Sequence, residues 1–163
     1  MIVEIFSSSA IAVGVLMLGV WLLSLVLKNA SIVDIFWGLG FVVIAWVANF
    51  ASDGSSDVGL IVAAMVSIWG LRLGGYLWWR NHGNGEDFRY VAMRKHYGTR
   101  FPLISLVTVF ALQGVLMFVV SIPVQLAQQP STESITALGI IGVLVWLIGL
   151  LFESVGDVQL ARF

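Results

Sequence analysis

RNHGNGEDFRYVAMRKHYGTR, residues Arg80 to Arg100, is the one long polar stretch in a chain of 163 residues. It holds five of the eight basic residues, Arg80, Arg89, Arg94, Lys95 and Arg100, with both histidines and the acidic pair Glu86 and Asp87. Around it the sequence is oily: 60% of residues are hydrophobic and 10% are charged. So little charge cannot cover a water-facing surface, which excludes an ordinary soluble domain. Working outward from the polar stretch, five apolar runs are long enough to cross a bilayer. They fall at about residues 10–27, 32–51, 58–79, 102–126 and 135–157, with a polar loop over 80–101. The runs are continuous rather than alternating, which argues for helices and against a β-barrel. The expected fold is an all-α integral membrane bundle of five transmembrane helices, forming one domain over 1–163.

Charge sets the orientation. Lysine and arginine stay on the cytoplasmic side, so the 80–101 loop is expected inside. Alternation then puts Lys28 and Arg162 inside as well, and Arg72 in the inner half of the third span. The outer side receives Glu4, Asp53, Asp57 and Glu133 and no basic residue. The N-terminus is therefore expected outside and the C-terminus in the cytoplasm. The segment MIVEIFSSS has no basic residue before the first apolar run, so a retained span is expected rather than a cleaved leader. There is no cysteine, hence no disulfide and no thiolate chemistry. His82 and His96 have no partner at ligand spacing, and no metal is expected. Nothing points to nucleic acid.

Within the polar stretch, Asp87 can cap a short helix through its carboxylate. Phe88, Val91 and Ala92 share one face of that helix, which predicts that it lies on the membrane surface. Four ionisable residues fall inside or at the ends of spans: Asp34, Arg72, Glu153 and Asp157. Such groups usually face a bundle interior or a wet cavity. Arg72 precedes Trp79 by seven residues, which places it roughly 10 Å from the inner end. Asp34 lies in the first turn of its span, and Glu153 and Asp157 lie at the inner end of theirs. All four thus belong to the same half of the membrane, and a shared polar pocket opening toward the loop is expected. Trp69, Arg72, Tyr76 and Trp79 follow the spacing of one helix face, and Gly70 and Gly74 form a GxxxG pair on the other side. Gly142, Gly149 and Gly156 run along the face of Glu153 and Asp157, where a helix or ligand is expected to approach closely. The plainer readings are that Arg72 pairs with Asp34, that Gln113 makes an interhelical hydrogen bond, and that the basic loop sets topology and touches anionic lipid.

The segments SIVDIFWGLGF (Ser31–Phe41), WGLRLGGYLWWRNHGNGEDFRYVAMRKHYG (Trp69–Gly98) and FESVGDVQLARF (Phe152–Phe163) resemble bacterial membrane proteins related to the steroid 5-alpha-reductases. More distantly they resemble the isoprenylcysteine methyltransferase superfamily. The R-x-x-G-x-G-E-D-x-R-Y loop is the most specific part of the likeness. The resemblance implies the first five helices of a seven-helix reductase fold, with two further spans beyond Phe163, in a bacterial inner membrane. It implies an enzyme that reduces a lipophilic unsaturated substrate with NADPH. Asp34 then falls on an acidic residue that polarises the substrate carbonyl, with Tyr76 as the accompanying phenol. Arg72, Arg89, Tyr90, Glu153 and Asp157 fall around the cofactor. Trp69 stands where the steroid reductases carry a tyrosine, and tryptophan has no phenolic proton to give. Two other functions stay open: an S-adenosylmethionine-dependent methyltransferase of the wider superfamily, and a non-enzymatic membrane scaffold or lipid-binding protein. Membrane lipid and a lipophilic small molecule are the expected partners.

Overall fold

The structure is a computed structural model that describes residues 1–52, 56–131 and 135–162. Among those residues there is no strand, and five helical segments are long and apolar enough to cross a membrane. The protein is therefore a helical multi-pass membrane protein. Asp53, Glu133 and Phe163 lie outside the described residues.

Helix α1 spans Ile2–Leu27 and starts about two turns earlier than its apolar run predicts. Ser7, Ser8 and Ser9 do not break it. Ser7 turns its hydroxyl onto the helix's own Glu4 carbonyl, which lets a serine sit in an apolar helix. The helix ends at Lys28, which takes the left-handed conformation (φ 52°) and returns its N–H to the Ser24 carbonyl. Helix α2 (Ile32–Ala51) and helix α3 (Asp57–Asn81) follow, the latter capped by the Ser56 hydroxyl accepting from the Gly59 N–H. They form the tightest contact in the molecule. A Cβ on Gly38 would stand 2.6 Å from the Gly70 carbonyl oxygen, and one on Gly70 would strike the Gly38 carbonyl. Gly74 is close to the Ile35 carbonyl in the same way, at 3.2 Å. Only glycine lets two backbones meet at this distance. The expected role of Gly70 and Gly74 in helix packing is what the structure shows.

The polar stretch is shorter as a loop than its composition predicts. Helix α3 continues to Asn81 and helix α4 occupies Phe88–Tyr97, so only residues 82–87 lie outside helix, with Gly83 (φ 82°) and Gly85 (φ 68°) in the left-handed region. Asp87 caps α4 by accepting from the Arg89 N–H, as predicted. A single 3-10 turn, Gly98–Arg100, then leads straight into the fourth span. That span is built from α5 (Phe101–Ser105), a π-helical segment (Leu106–Ala111), α6 (Leu112–Val120) and α7 (Ile122–Leu126), where one span over 102–126 is predicted. The span packs on α1 and α2: Phe110 and Met117 are fully buried with Val13, Met17, Phe41 and Ile44. The Trp21 indole donates to the Pro102 carbonyl, and Asn49 donates to Gln128, so each end of the span is tied to the first two helices.

Helix α8 (Ala137–Leu160) buries none of its residues. Among the described residues the close approach expected at Gly142, Gly149 and Gly156 is absent: a Cβ on any of them would meet no neighbouring atom within 4 Å. Helix α8 is joined to α3 by polar contacts near its C-terminal end, from Trp69, Arg72 and Tyr76 to Glu153 and Asp157.

Candidate functional site

Antiparallel threading brings the end of α1, the start of α2, the end of α3, α4 and the end of α8 to one end of the bundle. All eight basic residues are there, with Trp78 and Trp79 exposed beside them. The four ionisable span residues share this end, as predicted, but they divide between two clusters rather than one pocket.

The first cluster joins α2 to α4. The Tyr90 hydroxyl donates to one Asp34 oxygen at 3.1 Å, and the Arg89 guanidinium donates to the other at 3.1 Å. Arg89 also grips Asp87 through its Nε at 2.9 Å. Tyr90 is buried, while the Arg89 side chain is 58% exposed at the mouth of the site. The Asp34 side opens on a cavity of about 510 Å³, walled by Trp37, Leu73, Leu77 and Leu116 and edged by Arg80, Arg89 and Gln113. The Gln113 carbonyl oxygen is buried with no partner among the described residues, while the Gln113 side chain hydrogen-bonds the Tyr90 hydroxyl on α4.

The second cluster joins α3 to α8. Arg72 lies between two carboxylates, with Nη2 at 2.5 Å from Glu153 and Nη1 at 2.6 Å from Asp157. The Trp69 indole donates to Glu153 at 2.9 Å, and the Tyr76 hydroxyl donates to the Asp157 backbone carbonyl at 2.9 Å. Tyr76 is thus placed on α8. The phenol that touches Asp34 is Tyr90, which the sequence reading set beside the cofactor. Arg72 does not pair with Asp34, because Asp34 is taken by α4.

A third set of contacts fixes α4 in place. Arg94 grips Glu86 at two points, 3.0 and 2.8 Å, and stacks over the Phe101 ring at 4.4 Å. Glu86 also accepts from the Ala30 N–H at 2.7 Å, and the Asp87 N–H reaches the Ser31 hydroxyl at 3.4 Å. Burial works to raise the Glu86 pKa, but the Arg94 guanidinium and the Ala30 amide outweigh it and hold the group below its ordinary 4.5. Arg89 holds the Asp87 carboxyl below its ordinary 3.8. Sequence reasoning gave Glu86 and Arg94 no such role. The signal was there in part: Glu86 stands next to the capping residue, and Arg94 is two turns further on.

Three arginines therefore take up all five carboxylates of this end. Arg72 holds Glu153 and Asp157, Arg89 holds Asp34 and Asp87, and Arg94 holds Glu86. Lys28, Arg80, Lys95, Arg100 and Arg162 have no carboxylate partner among the described residues.

Fold and site define a multi-pass helical membrane protein with a carboxylate, held by a phenol and an arginine, on a half-apolar cavity at its basic end. The chain belongs to DUF1295, a family described as proteins of unknown function, whose pattern matches residues 20–163. No curated protein and no solved structure matches it.

Proposed function

We propose that the protein is a membrane-embedded reductase that uses NADPH to saturate a lipophilic enone. The observation that carries this reading is Asp34, held by the Tyr90 hydroxyl behind it, on the wall of a cavity lined also by Trp37, Leu73, Leu77 and Leu116 and edged by Arg80, Arg89 and Gln113. The resemblance of the 80–90 loop to proteins related to the steroid 5-alpha-reductases supports it. So does membership of DUF1295, a family in the steroid 5-alpha-reductase-like group.

The donor set suits the cofactor. Arg80, with only the Asn81 side chain as a polar side-chain partner among the described residues, and Arg89 stand at the mouth of the cavity and suit its phosphates. The Glu153 and Asp157 carboxylates suit ribose hydroxyls. Arg72, already held by two carboxylates, is better suited to orienting them than to binding phosphate. When bound, NADPH supplies a hydride. The apolar wall takes the hydrocarbon body of the substrate and excludes water, which strengthens every polar contact inside. On substrate binding the Tyr90 O–H would exchange its bond to the Asp34 carboxylate for one to the substrate carbonyl oxygen as negative charge grows there, and Arg89 keeps Asp34 in place. The basic end would face the cytoplasm of a bacterial cell, where NADPH is found.

The test is NADPH titration and enone-dependent NADPH oxidation by the purified protein. Tyr90→Phe is expected to lower the rate about 100-fold or more while nucleotide affinity holds. Arg80→Gln with Arg89→Gln is expected to weaken nucleotide binding about tenfold or more, since each removes a charge-assisted contact. Absence of NADPH binding by the wild type would sink the reading, and retention of S-adenosylmethionine instead would favour a methyltransferase.

A further inference from the structure

The sorting of charges at the basic end leaves a surface that the reductase reading does not use. On α4 the two arginines are tied to carboxylates, Arg89 to Asp34 and Arg94 to Glu86, while Phe88 and Val91 stay exposed, at 79% and 42%. A helix whose phenylalanine is more exposed than its arginines is not patterned as a water-facing helix. Beside this apolar face stand Lys95 and Arg100, both exposed and without a carboxylate partner among the described residues. Lys28 joins them: its backbone carbonyl accepts from the Arg94 guanidinium at 3.4 Å, which holds the end of α1 against α4. The height of the patch is fixed, because only the three-residue turn Gly98–Arg100 separates α4 from the fourth span. The patch therefore lies at the bilayer boundary, where lipid headgroups are.

We propose that Lys28, Lys95 and Arg100, with Phe88 and Val91, form a binding site for anionic lipid headgroups. The apolar side chains enter the acyl boundary and the three cations meet lipid phosphates. The site does not depend on any catalytic activity, and none of its residues lines the Asp34 cavity.

The experiment is native mass spectrometry of the purified protein from mixed phosphatidylglycerol and phosphatidylcholine, with the anionic fraction varied. The wild type is expected to retain phosphatidylglycerol at least about tenfold over phosphatidylcholine, since each surface cation contributes up to about fivefold. K28Q/K95Q/R100Q is expected to bring the ratio close to one, and the charge-keeping K28R/K95R/R100K to preserve it. Equal retention of both lipids by the wild type, or an unchanged preference in the glutamine variant, overturns the proposal. If the glutamine variant does not fold, salt decides: the wild-type preference should collapse near 0.5 M salt by screening. A preference that survives such salt overturns the proposal. Competition by millimolar inorganic phosphate, or a dimer mass that appears as lipid is lost, would also overturn it in favour of a free anion or a second copy.

Discussion

Helix α3 is held on its two sides by opposite means. Against α2 it meets glycine with glycine, backbone on backbone, and the contact runs through Gly38, Gly70 and Gly74. Against α8 it offers Trp69, Arg72 and Tyr76, and the contact is a handful of polar bonds with open space around the glycines of the partner helix. In a bilayer there is no hydrophobic force between helices, so close packing and polar contacts are the two means left. The difference teaches that glycine in a span says nothing by itself. Gly70 and Gly149 look alike in sequence, yet one is indispensable to a contact and the other meets nothing among the described residues.

The comparison breaks most easily at Gly70. Gly70→Leu should destabilise the protein by about 3 kcal/mol or more, because the obstacle is backbone and cannot move aside. Thermal unfolding in detergent measures it, and a near-neutral result would mean that α2 and α3 are not packed as described. On the other side, Arg72→Met leaves two carboxylates facing each other and should cost about 2 kcal/mol. The fully buried figure is discounted here because Glu153 is 39% exposed. Limited proteolysis should then show α8 released while α1–α3 stay intact.

Glu86 gives a third expectation, sharpened by pH. Its folded pKa is depressed, so its stabilisation is present above about 4.5 and is lost as pH falls through the lower folded value. Glu86→Gln should cost about 1.5 kcal/mol at neutral pH and weaken the acid-side loss of stability, as read by unfolding across pH 3 to 7. The smallest effect is expected at Gly149→Leu, within about 0.5 kcal/mol, because the added side chain meets open space.

The spans were legible because their physics is one-dimensional: a run of apolar residues either reaches across the bilayer or does not. The α4 cap at Asp87 was legible for a similar reason, being a local bond between neighbours. The start of α1 was misread because Ser7–Ser9 looks polar on paper, whereas Ser7 spends its polarity on the helix itself. Which carboxylate meets which arginine was not legible. Asp34 and Arg72 lie at the same end of adjacent helices, and only the rotation of each helix and the docking of α4 decide that Asp34 meets Tyr90 and Arg89 instead. The identity of the phenol on Asp34 was hidden by the same step, since Tyr90 and Asp34 are far apart in sequence. The π-helical segment left no trace, for Leu106–Ala111 contains neither proline nor glycine.

That segment has a consequence for how related chains are to be aligned. A π turn is an α-helix carrying one residue too many, so the residues after it are turned about 100° from where an unbroken helix would put them. Gln113 at the Asp34 cavity and Met117 in the core both owe their direction to that offset. A relative lacking one residue between Leu106 and Ala111 would keep its hydropathy profile and the length to span the bilayer, yet turn a different side of this helix to the cavity. Length variation of a single residue here would be a rotation of function, invisible to any profile that counts only how oily each position is.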